Sequence, residues 1–411
     1  MKWNPWTLAL IGAGVIGLPG AAYAEEKPNT VLTALSSTTL SGYVDTSAHW
    51  NPGTGNANLP FYTPNAQPGG TKADGFNLDV VELTLNKPAG EEAWSAGYNA
   101  TLLFGPDAVG YNTSFIGGTQ ASLGDFGLKD TYVDLHAPLG NGLDVKLGTF
   151  TEPIGYEVYE AGGNPNYTRS YGYMIEPTAL TGVLATYQLC PVALLSGGVV
   201  DTWSAGVNSR AFLTTPAKAE SFKTYVASLT LTAPTNSGFL SGSTLSGGVI
   251  NGWDAVHLVD KTSLYVGATA NTPLSNLKVG VAYDYAMLGP NALAASGAVE
   301  KSGYQAAVGA YLNWQATPKL AFNTRGEYFT QSGYLVAPRT TVVAAPAAPG
   351  GAGAGLPSSA FELTQTIQYD LWKNVIARAE FRWDHAADAS DPFSNGVDNA
   401  FLLAANIIFK F

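Results

Sequence analysis

The residues best suited to chemistry in this chain are charged side chains that recur at every second position of short segments. Arg378, Glu380, Arg382 and Asp384 follow this spacing in one segment. Residues two positions apart lie on the same face of a β-strand, so this spacing gathers opposite charges on one surface. Such a surface binds ions and orients water and polar solutes. The candidate residues of this kind are Lys146, Arg325, Glu327, Arg378, Glu380, Arg382 and Asp384.

The positions between these charges are apolar, which predicts strands with one apolar and one polar face. In residues 375–384, Val375, Phe381 and Trp383 lie on the face opposite the charges. A soluble β-sandwich would bury that face, so one strand alone does not decide between folds. The same alternation recurs along the chain. It predicts strands near 40–50, 76–87, 94–104, 126–137, 142–150, 179–189, 192–204, 220–232, 239–252, 258–271, 276–288, 302–315, 319–331, 360–371, 374–385 and 399–411.

The connections between the predicted strands alternate between short and long. Tight turns are predicted at Thr317-Pro318 and Trp372-Lys373, for example, and at Pro234–Gly238. Long polar connections are predicted at 51–75, 105–125, 151–178, 205–219, 332–359 and 386–398. Outer-membrane barrels have short periplasmic turns and long outer loops. We therefore predict an all-β fold, a transmembrane antiparallel up-and-down β-barrel of about 16 strands.

The composition agrees with a barrel and excludes other classes of protein. Of 411 residues, 46% are hydrophobic and 12% are charged, whereas soluble domains have about 25% charged residues. The outward half of each strand must lie in hydrocarbon, which accounts for the low charge. With 20 Lys+Arg, 31 Asp+Glu and a net charge of -11, the chain is not a basic nucleic-acid binder. Beyond residue 24, no apolar run approaches the roughly 20 residues of a transmembrane helix.

The first residues have the features of a secretory signal peptide. Lys2 precedes an apolar stretch at 6–18, and Ala22-Tyr23-Ala24 forms an A-x-A cleavage site. Residues 12–17 also have G-x-G-x-x-G spacing, but Pro19-Gly20 interrupts any following helix, which argues against a dinucleotide site. We expect export to the cell outer membrane. The predicted divisions are a signal peptide at 1–24, a periplasmic N-terminal segment at 25–38 and the barrel at 39–411.

The end of the chain and the aromatic residues add to this prediction. Phe409 and Phe411 lie on one face of the last predicted strand. A terminal Phe on such a strand resembles the signal that the barrel assembly machinery recognises; the alternative is a hydrophobic strand that ends there by chance. Aromatic residues near strand ends are typical of interfacial girdles, although inward packing is an alternative for some. They are Tyr43, Trp50, Trp94, Trp203, Trp253, Tyr265, Trp314, Trp372 and Trp383.

Several stretches resemble the OmpL-like β-barrel porin family. They are residues 147–157 (LGTFTEPIGYE), 164–171 (NPNYTRSY) followed by 180–183 (LTGV), and 249–254 (VINGWD). Residues 40–45 (LSGYVD) fit the same pattern, and the resemblance extends over essentially all of the chain after residue 24. Thr168 replaces an expected Ser, and 340–357 is an insertion rich in Ala, Pro and Gly. The resemblance implies an outer-membrane channel and supplies neither a substrate nor binding residues.

The connection at 151–178 is the candidate pore constriction. Barrels of roughly 16 strands leave a water channel unless something fills it. We hypothesise that this connection folds inward and places carboxylates opposite Lys146, Arg325, Arg378 and Arg382, which would filter solutes by size and charge. Alternatively, it covers the outer mouth and its tyrosines pack the loop. Its candidate constriction residues are Glu152, Glu157, Glu160, Arg169 and Glu176.

The expected function is passive diffusion of small hydrophilic solutes and ions through a water-filled pore. A barrel for surface recognition or adhesion, without transport, is the alternative. An enzyme is not expected, because no serine-nucleophile motif accompanies Asp134 and His136. The four histidines are scattered and there is one cysteine, so no metal or cofactor is predicted.

The expected partners are outer-membrane lipid, the barrel assembly machinery and small hydrophilic solutes, with no nucleic acid. A homotrimer is one option for the oligomeric state, and it would need a flat outer wall with few aromatic residues. The segments 221–232 and 241–248, rich in Ser, Thr and Gly, are the candidate for that wall.

Overall fold

The computed structural model describes residues 37–53, 74–90, 92–108, 126–203, 207–209, 222–254, 259–289, 302–332, 357–388, 393 and 397–411. The predicted signal peptide, most of the segment 25–38 and nearly all of the insertion at 340–357 lie outside these residues. Within them, no helix is long and apolar enough to cross a membrane.

Sixteen strands are present in the part of the chain that the structure describes. They are β1 (Thr39–Trp50), β2 (Gly75–Lys87), β3 (Ser95–Phe104), β4 (Phe126–Ala137), β5 (Leu143–Phe150), β6 (Leu180–Cys190), β7 (Ala193–Val200), β8 (Thr224–Thr232), β9 (Thr244–Asp254), β10 (Val259–Asn271), β11 (Leu277–Leu288), β12 (Gly303–Gln315), β13 (Leu320–Gln331), β14 (Ser359–Trp372), β15 (Val375–Ala386) and β16 (Asn399–Lys410).

The sheet closes on itself. Each strand pairs antiparallel with its neighbours in the chain, and β1 also pairs with β16. At this seam, Gly42 N donates to Phe411 O at 3.1 Å and Phe411 N donates to Gly42 O at 3.0 Å. A closed sheet has no open edge and satisfies its backbone groups internally, as β-structure in hydrocarbon must. The fold predicted from the alternation is confirmed.

Side chains alternate between the two faces of the barrel wall. On β16, Leu403 and Ile407 are exposed on the outer face, whereas Leu402 and Asn406 are buried inside. The outer face therefore carries the apolar row that lies against lipid. Phe409 and Phe411 belong to this outer face, and both are exposed. Their role as an assembly signal stays a prediction.

The aromatic residues near strand ends are divided between the two faces. Trp50, Trp314 and Trp372 are exposed on the outside, as an interfacial girdle requires. Trp203 and Tyr265 are buried inside the barrel, where they belong to one apolar cluster. Tyr43 is buried in a second cluster, so the inward alternative that the sequence left open applies to these three residues.

The small polar residues of β8 and β9 face the lumen. Thr230 Oγ1 and Ser246 Oγ lie 3.1 Å apart, while the flanking Leu229, Leu231 and Leu245 are exposed on the outside. Thr230 and Ser246 therefore belong to the inner wall, and the outer wall beside them is formed by leucines; its role as a trimer contact stays a prediction.

Three predicted strand bounds differ from the structure by about four residues. β7 ends at Val200, β8 begins at Thr224 and β9 begins at Thr244. Before β9, the chain forms a 3-10 turn at Gly238–Leu240, and Gly242 has a φ of 77°. Glycine adopts this conformation without steric cost. The turn between β8 and β9 is therefore longer than the predicted Pro234–Gly238.

Candidate functional site

Residues 151–178, which we call the inner segment, connect β5 to β6 and run inside the barrel. The segment contains a 3-10 turn at Ala161–Gly163 and one short helix, α1, at Tyr171–Ile175. Ser170 caps this helix, because its Oγ accepts from Tyr173 N at 3.0 Å. Most side chains of the segment are buried against inward-facing strand residues.

Arg325 on β13 holds the middle of the inner segment. Its Nη1 donates to Glu157 Oε1 and to Thr168 O, both at 2.8 Å. Its Nε and Nη2 donate to the two carboxylate oxygens of Glu362 at 3.2 and 3.1 Å, in a bidentate pair. Glu327 Oε2 lies 3.5 Å from Nε. One buried guanidinium is therefore compensated by three carboxylates and joins the segment to β13 and β14.

Arg382 on β15 makes a second connection. Its Nη1 donates to Arg169 O at 2.7 Å. Its Nε and Nη2 donate to Asp384 at 2.8 and 2.7 Å. Tyr171 Oη donates to the same carboxylate at 2.6 Å. Asp384 thus orients the arginine and also binds the first residue of α1.

Arg378, lower on β15, binds the 3-10 turn. Its Nη1 donates to Ala161 O at 2.9 Å and its Nη2 donates to Asn164 O at 2.8 Å. These acceptors are backbone carbonyls, so the contact depends on the path of the chain and not on the identity of the side chains.

Two carboxylates on the same wall accept backbone N–H groups of the inner segment. Glu380 accepts from Tyr167 N at 2.6 Å and from Thr168 N at 2.9 Å. Glu327 accepts from Tyr171 N at 2.7 Å. Charge-assisted bonds of this kind are stronger than neutral ones. Carboxylates of β13 and β15 therefore bind three backbone N–H groups of the inner segment.

Strands on either side of this wall add further anchors. Lys129 Nζ on β4 forms an ion pair with Glu160 Oε1 at 2.5 Å. Lys410 Nζ on β16 donates to Gly162 O at 3.1 Å. Tyr167 Oη lies 2.6 Å from His49 Nε2 on β1. The inner segment is therefore bound along an arc of the barrel that extends beyond β13–β15.

On the strands that follow β13 around the barrel, starting with β12, the inner segment contacts apolar residues. Tyr156 stacks on Tyr311 of β12, with ring centroids 3.9 Å apart. A Cβ at Gly280 of β11 would collide with the Tyr156 hydroxyl, so glycine leaves room for this ring. Ile154 joins the cluster that includes Trp203 and Tyr265. The segment thus contacts β11 and β12, which are next to β13, and through Ile154 it joins an apolar cluster that extends back to β5.

Comparison with known families identifies the class of barrel. Residues 37–411 match the family described as Putative beta-barrel porin-2, OmpL-like. The chain belongs to this porin family. Membership in an outer-membrane porin family, together with a closed barrel, puts the chain in the outer membrane. No curated protein sequence matches it.

Solved structures similar to this porin share its fold at low sequence identity. The outer membrane channel DcaP of Acinetobacter baumannii is 15% identical, with a TM-score of 0.57 over 91% of this chain and 97% of that one. An anion-selective porin from Comamonas acidovorans is 13% identical, with a TM-score of 0.55 over 91% and 99%. OmpT of Vibrio cholerae, in a trimer form, is 11% identical, with a TM-score of 0.53 over 91% and 99%. At these identities the likeness concerns the fold alone.

The sequence predicted that carboxylates of the inner segment pair with basic residues of the barrel wall. The structure of this porin has such pairs, but not all of the partners are the predicted ones. Glu157 contacts Arg325, but Glu160 contacts Lys129. Arg169 donates to the backbone carbonyls of Tyr159 and Tyr167 within the inner segment. The structure brings Arg325, Glu327, Arg378, Glu380, Arg382 and Asp384 together beneath the segment.

Two further predicted groups of residues lie apart from this cluster. Lys146 on β5 is half-buried, and its ammonium lies 4.6 Å above the ring of Tyr132. Glu152 and Glu176 are also buried, and Asp284 of β11 is the largest charge acting on Glu176.

Several residues of the site were absent from the sequence prediction. Glu362 shares the inward parity of β14 with Thr364 and Thr366, so its position could have been read from the alternation. Lys129 could not, because β4 has a bulge in which Lys129 and Asp130 oppose Thr101 of β3. A bulge changes the parity of the strand, and this one turns Lys129 inward.

Glu176 gives the porin a testable pH dependence. Burial raises the pKa of the Glu176 carboxyl well above its ordinary value of 4.5, and negative Asp284 raises it further. At pH values between the ordinary pKa and the raised one, the folded chain keeps a proton that the unfolded chain has released. Stability contributed by this group therefore falls as the pH rises through that window. Glu176→Gln removes the titration, so we expect its thermal midpoint to fall less between pH 5 and pH 8 than that of the wild type.

Thermal unfolding of the detergent-solubilised barrel, followed by tryptophan fluorescence at both pH values, measures this difference. Glu92→Gln is the matched control, because Glu92 is exposed beside β3; it should retain the wild-type pH dependence. An equal fall of the thermal midpoint between pH 5 and pH 8 in all three proteins would contradict a raised pKa of Glu176.

Proposed function

We propose that the chain forms a water-filled pore through which small hydrophilic solutes and ions cross the outer membrane by passive diffusion. The observation that carries this proposal is the charged inner face of a closed sixteen-stranded barrel. An inner face of charged and hydroxyl side chains favours water in the lumen, and barrels of roughly this size enclose a channel.

The path that we propose runs beside β4–β6. Inward-facing Tyr132, Asp134, Lys146 and Thr186 are half-buried, whereas Arg325 on the other wall is fully buried under the inner segment. Solvent therefore reaches these positions of β4–β6 and is excluded from Arg325. In this proposal the inner segment is the constriction, and Lys146 belongs to the lining of the open path.

Other parts of the proposal concern targeting and assembly. Residues 1–24 are the cleaved signal peptide, 25–38 form the periplasmic segment, and the barrel assembly machinery recognises the end of β16. The chain has no enzymatic activity in this proposal. It assembles as a homotrimer, which the trimer form of OmpT supports by analogy of fold.

Reconstitution of the purified full chain in planar lipid bilayers tests the pore. We expect discrete current steps of uniform size, and the reversal potential under a salt gradient gives the ion preference. Absence of current steps from correctly folded, heat-modifiable barrel would overturn passive diffusion and leave a barrel for surface recognition. Chemical cross-linking in the native membrane, read as monomer or trimer, tests the assembly.

A further inference from the structure

A cavity of about 480 Å³ opens at the end of the barrel where the short periplasmic turns lie. It lies between the ends of β13, β14, β15 and β16, next to the inner segment. Its volume is within the roughly 300–1,000 Å³ typical of small-molecule sites. The lining residues are Lys319, Gln368, Asp370, Trp372, Lys373, Asn374, Val375, Ile376 and Lys410.

Positive charge predominates among these lining residues. Lys319, Lys373 and Lys410 contribute three ammonium groups, and Asp370 contributes one carboxylate. Arg378 adds charge from above, since its Nε donates to Gln368 Oε1 at 3.2 Å. The cavity therefore has an excess of cations within a chain whose net charge is -11.

Backbone hydrogen bonds fix the positions from which the lysines project. Lys410 N donates to Asn374 O at 2.8 Å, which ties β16 to the turn that carries Lys373. Asp370 N donates to Lys319 O at 2.9 Å, which ties β14 to the turn before β13. Lysines from three separate chain segments thus line one cavity, and the folded barrel is what brings them together.

One of these lysines also contacts the inner segment. Lys410 Nζ donates to Gly162 O at 3.1 Å. An ammonium has three N–H donors, so this bond leaves donors for a bound anion. The cavity consequently lies directly below the 3-10 turn at Ala161–Gly163, on the periplasmic side of the proposed constriction.

We propose that this cavity binds a small organic anion that carries carboxylate or phosphate groups. The lysines pair with the anionic groups, Gln368 and Asn374 supply neutral hydrogen bonds, and Ile376 contacts the carbon skeleton. The inference deepens the proposed pore function, because it names the class of solute that is retained at the periplasmic exit.

The headgroup of an inner-leaflet phospholipid has the same anionic chemistry. We assign the site to a soluble anion, because Lys319 and Lys410 continue the inward parity of β13 and β16. Ammonium groups on the inward parity are reached from the lumen and not from the lipid.

Isothermal titration calorimetry on the detergent-solubilised full chain tests the site with citrate and with inorganic pyrophosphate as separate probes. We expect saturable binding that weakens with added KCl, because salt screens the charges. Lys319→Gln and Lys373→Gln should each weaken binding about two- to fivefold, as expected for loss of one solvent-exposed ion pair. Lys278→Gln is the matched control; Lys278 is an exposed lysine at the start of β11 and outside the cavity.

Wild-type affinity in Lys319→Gln and Lys373→Gln, or no binding of either probe, would overturn the site. Binding of dihexanoyl phosphatidylglycerol in place of both probes would assign the cavity to lipid and also overturn the proposal. Calorimetry does not require conduction, so the two hypotheses fail separately. Lysine-dependent binding without current steps would reject the pore and keep the anion site. Current steps without binding would keep the pore and reject the anion site.

Discussion

Deletion of residues 155–170 is expected to raise single-channel conductance by a factor of about two or more, because the current through a water-filled pore grows with its cross-section. These residues lie inside the barrel and contact widely separated strands, through Glu160 on Lys129 of β4 and Glu157 on Arg325 of β13. Their removal opens the lumen from β13–β16 to the opposite wall. The charged residues thereby uncovered are solvated by the water that enters.

Conductance in planar bilayers in 1 M KCl (roughly 3 Å Debye length) measures this change with little influence from surface charge. Deletion of Gly238–Leu240 serves as the control, because that turn lies between β8 and β9 at the periplasmic end. It should leave the current steps at their wild-type size. Unchanged conductance in the 155–170 deletion would mean that the inner segment does not restrict the pore.

The fold was predictable because two local signals agree over the whole chain. Alternation at a period of two predicts strands, and turn residues at the short connections predict where the strands end. Charged Arg378 and Glu380 alternate with apolar Ala379 and Phe381, and this parity is the one that the structure has. A slip of one residue would have turned the charges to the lipid, so the hydrophobic pattern determines the register strongly.

The contacts of the inner segment were less predictable, since much of their chemistry is in the backbone. Arg378 binds the carbonyls of Ala161 and Asn164, and Arg382 binds the carbonyl of Arg169. Every residue has such a carbonyl, so the sequence does not distinguish these from the rest. Tertiary position alone selects them, whereas the Glu157–Arg325 pair could be anticipated from charge.

Arg325→Met is expected to lower the free energy of unfolding by about 3 kcal/mol, the lower end of the range for breaking a buried ion pair. The substitution retains much of the side-chain volume but removes the cation shared by Glu157, Glu327 and Glu362. The three buried carboxylates then lose the cation that lies between them. The inner segment also loses the bond to Thr168 O, so we expect it to detach intermittently and the open-channel current to fluctuate more.

Lys146→Met provides the matched control for Arg325→Met, because it removes another inward-facing cation from a half-buried position above Tyr132. A partly solvated cation contributes at most about 1 kcal/mol to stability. This variant should therefore have a urea midpoint of unfolding and an open-channel current noise close to those of the wild type. Addition of Glu157→Gln to Arg325→Met removes one of the uncompensated charges and should restore part of the lost stability. Equal stability and equal current noise in Arg325→Met and Lys146→Met would show that Arg325 does not hold the inner segment in place. The apolar contacts of Ile154 and Tyr156 would then have to hold it.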